Sequence, residues 1–360
     1  MNLKQITADL RQRIVFGEFS PGDILPRRSE LVAHYDSSVA SFQKCINQLI
    51  QEGFLESCGS KGTIVCENLP NRFQIGLVIP VRPDSTARIW DPFWELLLKA
   101  ADEFQTADPR YRFKRYYTSA AYAGDWEQLI ADLATHQLAG IFLLEHQSLS
   151  PESFDAFAGI PVVVLGGDEF YRPNILPIGI QYCRVLESAM LRLRSRGCKN
   201  IMVLKNPEIN FREIDGRIIQ YMAERGFELS EECIQSIGLA PNSLATIGNL
   251  IKLMFSPNLK IRPDGLVILN ENLCGPALQA LRELNLIPAR DVRIVSHANF
   301  GRSPYLTCDV EHLGIDVIEY LRLAVERLRT FDPSVRSRQK VRWIEAVWRP
   351  KLPRSQLSDG

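Results

Sequence analysis

The sequence has no excess of charge of either sign, because 42 lysines and arginines face 42 aspartates and glutamates over 360 residues. A neutral chain is a poor general binder of polyanions or of an anionic membrane surface. No apolar run approaches the ~18 residues of a membrane-spanning helix, and the polar N-terminus lacks the pattern of a secretory signal. We therefore expect a cytoplasmic protein that does not bind membranes.

The sequence also lacks the motifs that identify common enzyme classes. It has no phosphate loop or nucleophile elbow, and the pair Gly166-Gly167 is not followed by the spacing of a dinucleotide fingerprint. The five histidines are scattered, and none stands at metal-ligand spacing from another histidine or a cysteine. The eight cysteines form no Cys-x-x-Cys pair and are interpreted as reduced packing residues. We therefore predict no catalytic residues, no metal and no cofactor.

The first 66 residues carry the pattern of a winged helix-turn-helix. An amphipathic helix ends at Gly17, Pro21-Gly22 makes a turn, and a second short helix is predicted to begin at Ser29. A third helix is predicted over residues 39–51, with apolar residues on one face and polar residues on the other. Two short strands joined at residues 59–62 complete the pattern as a hairpin. This arrangement is typical of a module that reads DNA.

The N-terminal segment resembles the GntR family of bacterial transcription regulators. The matching positions run in order along the segment: Pro21-Gly22-Asp23, Leu25-Pro26, Glu30-Leu31, Ser38, Leu49, Glu52-Gly53, Gly59-Ser60-Lys61-Gly62-Thr63 and Val65. The resemblance implies a DNA-binding domain over residues 1–67. It also exposes three departures, because Ser29, Val39 and Gln43 stand where the family has arginines for phosphate and guanine contacts.

The candidate DNA-contacting residues lie around the second helix, on the third helix and in the turn of the hairpin. They are Arg27, Arg28, Ser38, Ser41, Gln43, Lys44, Ser60, Lys61 and Gly62. The exposed face of the third helix carries no acid, as a helix beside phosphates requires. The segment as a whole is not basic, so a single copy should bind DNA with modest affinity, and we expect a homodimer on double-stranded operator DNA.

After a polar linker over residues 68–73, short apolar strands alternate with helices. This alternation predicts α/β architecture with parallel sheets. The length, residues 74–352 before a flexible tail at 353–360, favours two lobes, which we expect to divide near residues 166–174. The last helix is predicted over residues 314–330.

This second region is similar to the effector domain of the LacI and ribose-binding-protein type, a two-lobed periplasmic-binding-protein-like fold. The similarity rests on the segments 75–80, 159–164, 191–201, 263–268, 287–295 and 304–307. It implies a small-molecule effector, a carbohydrate in particular. The positions that align with the sugar-binding acids and arginine of the family hold Gln181, Glu213, Glu271 and Ala298, so the family's usual sugar chemistry is altered here.

Parallel sheets bind ligands beyond the carboxyl ends of their strands. Polar and aromatic residues near those ends are the candidate effector contacts: Trp90, Asp91, Phe93, Glu145, Phe211, Asn270, Glu271 and Asn299. Asp91 also precedes Pro92 at a helix start, so it is a candidate helix cap as well. For Glu271 we expect a ligand contact and no capping role.

These patterns together predict a transcription regulator, a repressor, controlled by a small carbohydrate-like effector. Two alternatives remain open. The first is a winged-helix sensor with lost or weak DNA binding that acts through protein contacts. The second is a sugar kinase or isomerase fused to a DNA-binding domain, which the absence of catalytic motifs makes the weakest of the three.

Overall fold

The computed structural model describes residues 2–80, 91–118, 123–144, 151–166, 172–207, 209, 217–239, 241–256, 258, 262–301, 309–332 and 337–349. They form an N-terminal domain, residues 2–66, and two α/β lobes. Among the helices within these ranges, none is both long and apolar enough to cross a membrane.

The N-terminal domain is the predicted winged helix-turn-helix. Its elements are α1 (Leu3–Val15), α2 (Arg28–His34), α3 (Val39–Gln51), β1 (Leu55–Ser57) and β2 (Thr63–Val65). The predicted bounds of α3 are those observed, because Ser38 caps its first turn by accepting a hydrogen bond from the Ser41 amide. Gly53, at φ +80°, allows the chain to turn after it. Phe42, Leu49 and Leu10 pack in the core between α1 and α3.

A nearly buried ion pair joins α1 to the residue that follows α3. Nε and Nη2 of Arg11 in α1 donate to both carboxylate oxygens of Glu52, at 2.7–2.9 Å, directly after α3. The two side chains are only 6% and 17% exposed, and Gln48 donates a further hydrogen bond to Glu52. This bidentate geometry offsets the cost of removing both charges from water.

The first lobe is a parallel sheet of six strands in the order β13-β7-β6-β5-β3-β4. The strands are β3 (Gln74–Ile79), β4 (Arg112–Tyr117), β5 (Gly140–Leu143), β6 (Val162–Leu165), β7 (Ile175–Ile180) and β13 (Arg342–Ile344). Its helices are α5 (Pro92–Ala107), α6 (Ala123–Ala134) and α11 (Val317–Arg329). Residues of α5 and α11 fill the core on one face of the sheet, and α6 covers the other.

The second lobe has a sheet of the order β14-β12-β11-β10-β8-β9, in which only β14 is antiparallel to its neighbour. Its strands are β8 (Ile201–Lys205), β9 (Ile234–Ser236), β10 (Gly265–Ile268), β11 (Arg293–Phe300), β12 (Glu311–Asp316) and β14 (Val347–Arg349). Its helices are α7 (Tyr182–Ser195), α8 (Ile218–Ala223), α9 (Pro241–Met254) and α10 (Cys274–Glu283). Residues of α7 and α8 cover one face, and those of α9 and α10 the other.

The division between the lobes differs from the sequence-based prediction. The chain leaves the first lobe after Ile180, not within residues 166–174, because Ile175–Ile180 forms β7 beside β6. The chain then returns between Asp316 and Val317 and crosses again between Ile344 and Val347. Residues 314–316 end a strand rather than begin a helix. A Cβ at Gly314 would lie 1.6 Å from the carbonyl oxygen of Ala298, so this position requires glycine beside β11.

The segment predicted as a polar linker packs against both neighbours. Leu69 is buried in the core of the N-terminal domain. Residues 70–73 form one helical turn, α4 (Pro70–Phe73). Phe73, at its end, packs on the first-lobe core and contacts the Tyr111 ring edge-on at 5.5 Å.

The Arg11–Glu52 pair provides a test of the N-terminal domain. Arg11→Met keeps an apolar side chain but leaves Glu52 without its cation. We expect a loss of about 2–3 kcal/mol, below the usual cost for a fully buried pair because Glu52 keeps Gln48 and some solvent. Hydrogen exchange of the α1 and α3 amides in the full chain measures it. Lys99→Met, which breaks an exposed pair with Glu95, is the control. Equal exchange in both variants would show that the buried pair contributes nothing.

Candidate DNA-binding and effector sites

Helix α3 presents a polar outer face with an exposed valine at its start. Val39, the first residue of the helix, is 59% exposed. Gln43 follows one turn later, and its Nε2 donates to Oδ1 of Asn47 at 2.7 Å. Lys44 is exposed beside this pair. This face can therefore offer a methyl surface, amide groups and one positive charge to a ligand.

The two serines of the predicted site are engaged with each other. The Ser38 hydroxyl donates to Oγ of Ser41 at 3.0 Å while accepting from the Ser41 amide. Their first role is therefore to cap α3, and a hydroxyl contact to DNA would be additional.

The wing consists of β1, β2 and a 3-10 turn, Gly59–Lys61, between them. Gly62 closes the turn at φ +99°, a backbone conformation that side chains rarely adopt. Lys61 is exposed near the tip, and the Ser60 backbone lies in the same turn, while its side chain lies outside what is described. The structure thus places Lys61 where a wing can reach a phosphate.

Internal ion pairs use two of the arginines of the N-terminal domain. Arg11 binds Glu52, and Arg13 binds Glu18 while its guanidinium also donates to the Tyr35 hydroxyl. The hydrogen bond with Glu18 raises the pKa of Arg13 further above its ordinary value. Arg27 and Arg28, by contrast, are exposed at the start of α2. The exposed cations among the predicted DNA contacts are therefore Arg27, Arg28, Lys44 and Lys61.

In the second lobe, polar side chains converge at the carboxyl ends of β8, β10 and β11. Nδ2 of Asn270 donates to Oδ1 of the buried Asn206 at 3.2 Å. The carboxylate of Glu271 accepts from the backbone amide and from Nδ2 of Asn299, both at 2.8 Å. These bonds hold three strand ends in one polar wall.

Glu271 therefore has a structural role, holding Asn299, that its position in the sequence does not predict. Its two oxygens satisfy two donors of Asn299, so Glu271→Ala would leave a buried backbone amide without an acceptor. Burial, with a smaller contribution from the nearby Asp91, raises the pKa of Glu271 to about 7 despite these hydrogen bonds. A ligand would meet a carboxyl group that is already fixed in place.

Asp91 links the two lobes. Its Oδ1 accepts from the Phe93 amide and caps α5, as predicted. Its Oδ2 accepts from Nδ2 of Asn272 in the second lobe at 3.3 Å. Asn272 was not among the predicted site residues, because the pairing joins positions 181 residues apart and no local pattern signals it.

Phe93 does not offer a ring face to a ligand. It is 6% exposed and packs in the first-lobe core, where its ring contacts that of Tyr320 at 5.8 Å. The predicted contacts Trp90, Glu145 and Phe211 lie outside the described residues. Of the predicted effector contacts, the structure thus brings together Asp91 on one side and Asn270, Glu271 and Asn299 on the other.

Comparison with known proteins assigns the N-terminal domain. Residues 2–65 match the family described as "Bacterial regulatory proteins, gntR family". The mannosyl-D-glycerate transport/metabolism system repressor MngR of Escherichia coli is 35% identical over 68 residues, 19% of this chain and 28% of MngR. The HTH-type transcriptional regulator TreR of Bacillus subtilis is 32% identical over 74 residues, 20% of this chain and 31% of TreR. The chain thus matches less than a third of the length of either relative.

The two lobes are similar in fold to LacI-type regulators. The transcription regulator CcpA of Lactococcus lactis superimposes with a TM-score of 0.58 at 16% identity, covering 78% of this chain and 98% of that one. A LacI-family CcpA from Weissella paramesenteroides with bound sucrose gives a TM-score of 0.59 at 16% identity, covering 77% and 97%. At this identity the likeness confirms the predicted two-lobed fold.

The raised pKa of Glu271 predicts how stability depends on pH. In the folded protein the Glu271 carboxyl group stays protonated up to about pH 7, whereas in the unfolded chain it loses its proton near pH 4.5. Relative to Glu271→Gln, the natural chain should therefore lose stability as the pH rises from 4.5 through 7, by at most about 3 kcal/mol. Urea unfolding of both proteins at pH 5 and pH 8, followed by signals from the second lobe, measures the difference. Parallel pH profiles would exclude a raised pKa.

Proposed function

We propose that this chain, whose N-terminal domain is a GntR-family winged helix-turn-helix, is a DNA-binding transcription regulator that responds to a small carbohydrate-like effector. The observation that carries the proposal is the match over residues 2–65 together with the outer face of α3, which carries no acid. A helix that enters a major groove lies close to phosphates on both sides, so a carboxylate there would weaken binding.

The effector class is supported by the proteins that resemble the two parts of the chain. MngR is named as a repressor of a mannosyl-D-glycerate system, and the CcpA from Weissella holds sucrose in a domain of the same fold. The polar wall of Asn270, Glu271 and Asn299, with Asp91 opposite, supplies hydrogen-bonding groups suited to hydroxyls.

Regulation would follow from a shift between two arrangements of the lobes. The Asp91–Asn272 hydrogen bond joins them in the present structure, and a ligand that competes for either group changes the balance between closed and open forms. In a homodimer with two N-terminal domains, such a change alters the distance between them. Adjacent half-sites lie one turn of the duplex apart, about 34 Å, so a few ångströms decide operator binding. We infer a repressor whose affinity for its operator the effector lowers.

Binding to the DNA upstream of the gene that encodes this chain tests the proposal. Fluorescence anisotropy of the full chain should show saturable binding that depends on salt, and a panel of mono- and disaccharides should include one that changes the affinity. Absence of binding to any duplex at 50 mM salt would favour the alternative of a winged-helix sensor that acts through protein contacts.

Lys61 tests the placement of the wing. Lys61→Ala removes one phosphate contact for each N-terminal domain, so affinity should fall on all sequences alike. The slope of log K against log salt should decrease by about one for each domain. Lys99→Ala, an exposed lysine on α5, is the matched control and should leave the slope unchanged. An unchanged slope for Lys61→Ala would remove the wing from the DNA interface.

Asp91 tests the effector site, because two substitutions separate its roles. Asp91→Asn keeps the helix cap but loses the oxygen that accepts from Asn272, so the melting temperature should fall less than in Asp91→Ala while the stabilisation by the active sugar disappears. Asp91→Ala should lose both the helix cap and the stabilisation by the sugar. Loss of the cap alone should lower the free energy of unfolding by about 1 kcal/mol. Full stabilisation of Asp91→Asn by the sugar would show that this carboxylate does not contact the effector.

A further inference from the structure

The outer face of α3 has an unusual composition for a surface that meets DNA. Val39, Gln43 and Asn47 follow each other at intervals of four residues and so form one row along the helix. In a second row beside it lies Lys44, the single cation of α3, which contains no arginine. Arginine and lysine are the residues that pair with guanine in the major groove. Guanine recognition by α3 would therefore rest on Lys44 alone.

Val39 has no role in the core of the domain. The apolar face of α3 is formed by Phe42, Ile46 and Leu49, all buried, while the side chain of Val39 is 59% exposed. It stands at the first position of the helix, and the N-terminal residues of a recognition helix are those that reach base edges. The methyl group of thymine is the apolar group that a major groove offers to such a side chain.

Gln43 retains a donor and an acceptor with which adenine can pair. Its Nε2 donates to Oδ1 of Asn47 at 2.7 Å, which uses one of the two hydrogens on that nitrogen. The other hydrogen and the oxygen Oε1 remain for a ligand. A donor and an acceptor side by side match N7 and the N6 amino group of adenine, the pair that glutamine recognises. The bond to Asn47 also reduces the rotamer entropy lost on binding.

We propose that α3 reads A·T base pairs, with Val39 packed on a thymine methyl group and Gln43, held by Asn47, paired with an adenine. This rests on the proposed function, since it names the bases that the same helix would select. Four helical residues span ~6 Å, so the two contacts fall about two base pairs apart, at ~3.4 Å for each step along a strand. The exposed cations Arg27, Arg28 and Lys61 would then supply phosphate contacts that carry no sequence information.

Selection from a random double-stranded DNA library by the full chain provides the first test. The bound sequences should share a motif with A·T pairs at two positions about two base pairs apart in each half-site. If no sequence is enriched and no duplex binds, the proposed function itself fails. If a motif is enriched with G·C at the positions that α3 contacts, the function stands and the A·T reading is wrong.

Base analogues in the selected site then test each side chain separately. Replacing thymine by uracil removes only the methyl group, and affinity should fall about fourfold, the factor that burial of one such carbon supplies. Val39→Ala should bind both duplexes equally. For Gln43, replacing adenine by 7-deazaadenine should weaken the natural chain about tenfold but leave Gln43→Ala unaffected. Leu191→Ala, which alters an exposed apolar residue of α7, is the control for both.

A swap of specificity completes the test. Because Val39 is exposed, Val39→Arg should fold normally, and circular dichroism of the purified variant verifies this. We expect Val39→Arg to prefer guanine where the natural chain prefers thymine.

In the base-analogue experiment, an effect of uracil on the natural chain that is lost in Val39→Ala supports the assignment. An equal effect of uracil on the natural chain and on Val39→Ala would show that another group contacts the thymine methyl group.

Discussion

The arrangement of the candidate effector site depends on one constraint, which is that helices packed on both faces of a parallel sheet leave the strand ends as the place where polar side chains can meet a ligand. Both lobes obey it, since helices fill the cores on each face of each sheet. Asn206, Asn270 and Asn299 consequently meet at one edge. Three chain crossings join the lobes, and the Asp91–Asn272 bond spans the gap between them. The polar wall and the three chain crossings are thus products of the same topology.

Local sequence patterns were sufficient to predict the structure where a residue contacts its neighbours in the sequence. The bounds of α3 follow from the Ser38 cap and from Gly53, and the Asp91 cap follows from the proline after it. Prediction failed where the partner is distant in sequence. Strand β7 contains Pro177 and Gly179, which argue against a strand in isolation. A Cβ at Gly179 would lie 2.5 Å from the ring of Trp343 in β13, so the glycine serves a neighbour that no local pattern reveals.

In the candidate effector site, too, contacts between sequence neighbours were predicted and contacts between distant residues were not. An aromatic near the start of a helix was predicted as a sugar platform, but Phe93 lies on the inner face of α5 and packs in the core. The helical pattern alone allowed either outcome. Glu271 was correctly placed at a strand end, yet its engagement with Asn299 requires knowing that β10 and β11 are adjacent. Sequence therefore locates the edge of the sheet, whereas the hydrogen-bond partners within it follow only from strand order.

The N-terminal domain presents fewer free cations than its composition contains. Arg11 and Arg13 stabilise the domain through Glu52 and Glu18, so they add little to the field that DNA meets. If the domain binds DNA as proposed, fewer free cations mean a smaller non-specific contribution, and a larger share of the binding energy comes from base contacts and from a second copy. The connection between the N-terminal domain and the first lobe is short. Leu69 is fixed in one core and Phe73 packs on the other, with only the turn of α4 between them. In the proposed regulator, this short connection would carry a rotation of the first lobe to the N-terminal domain.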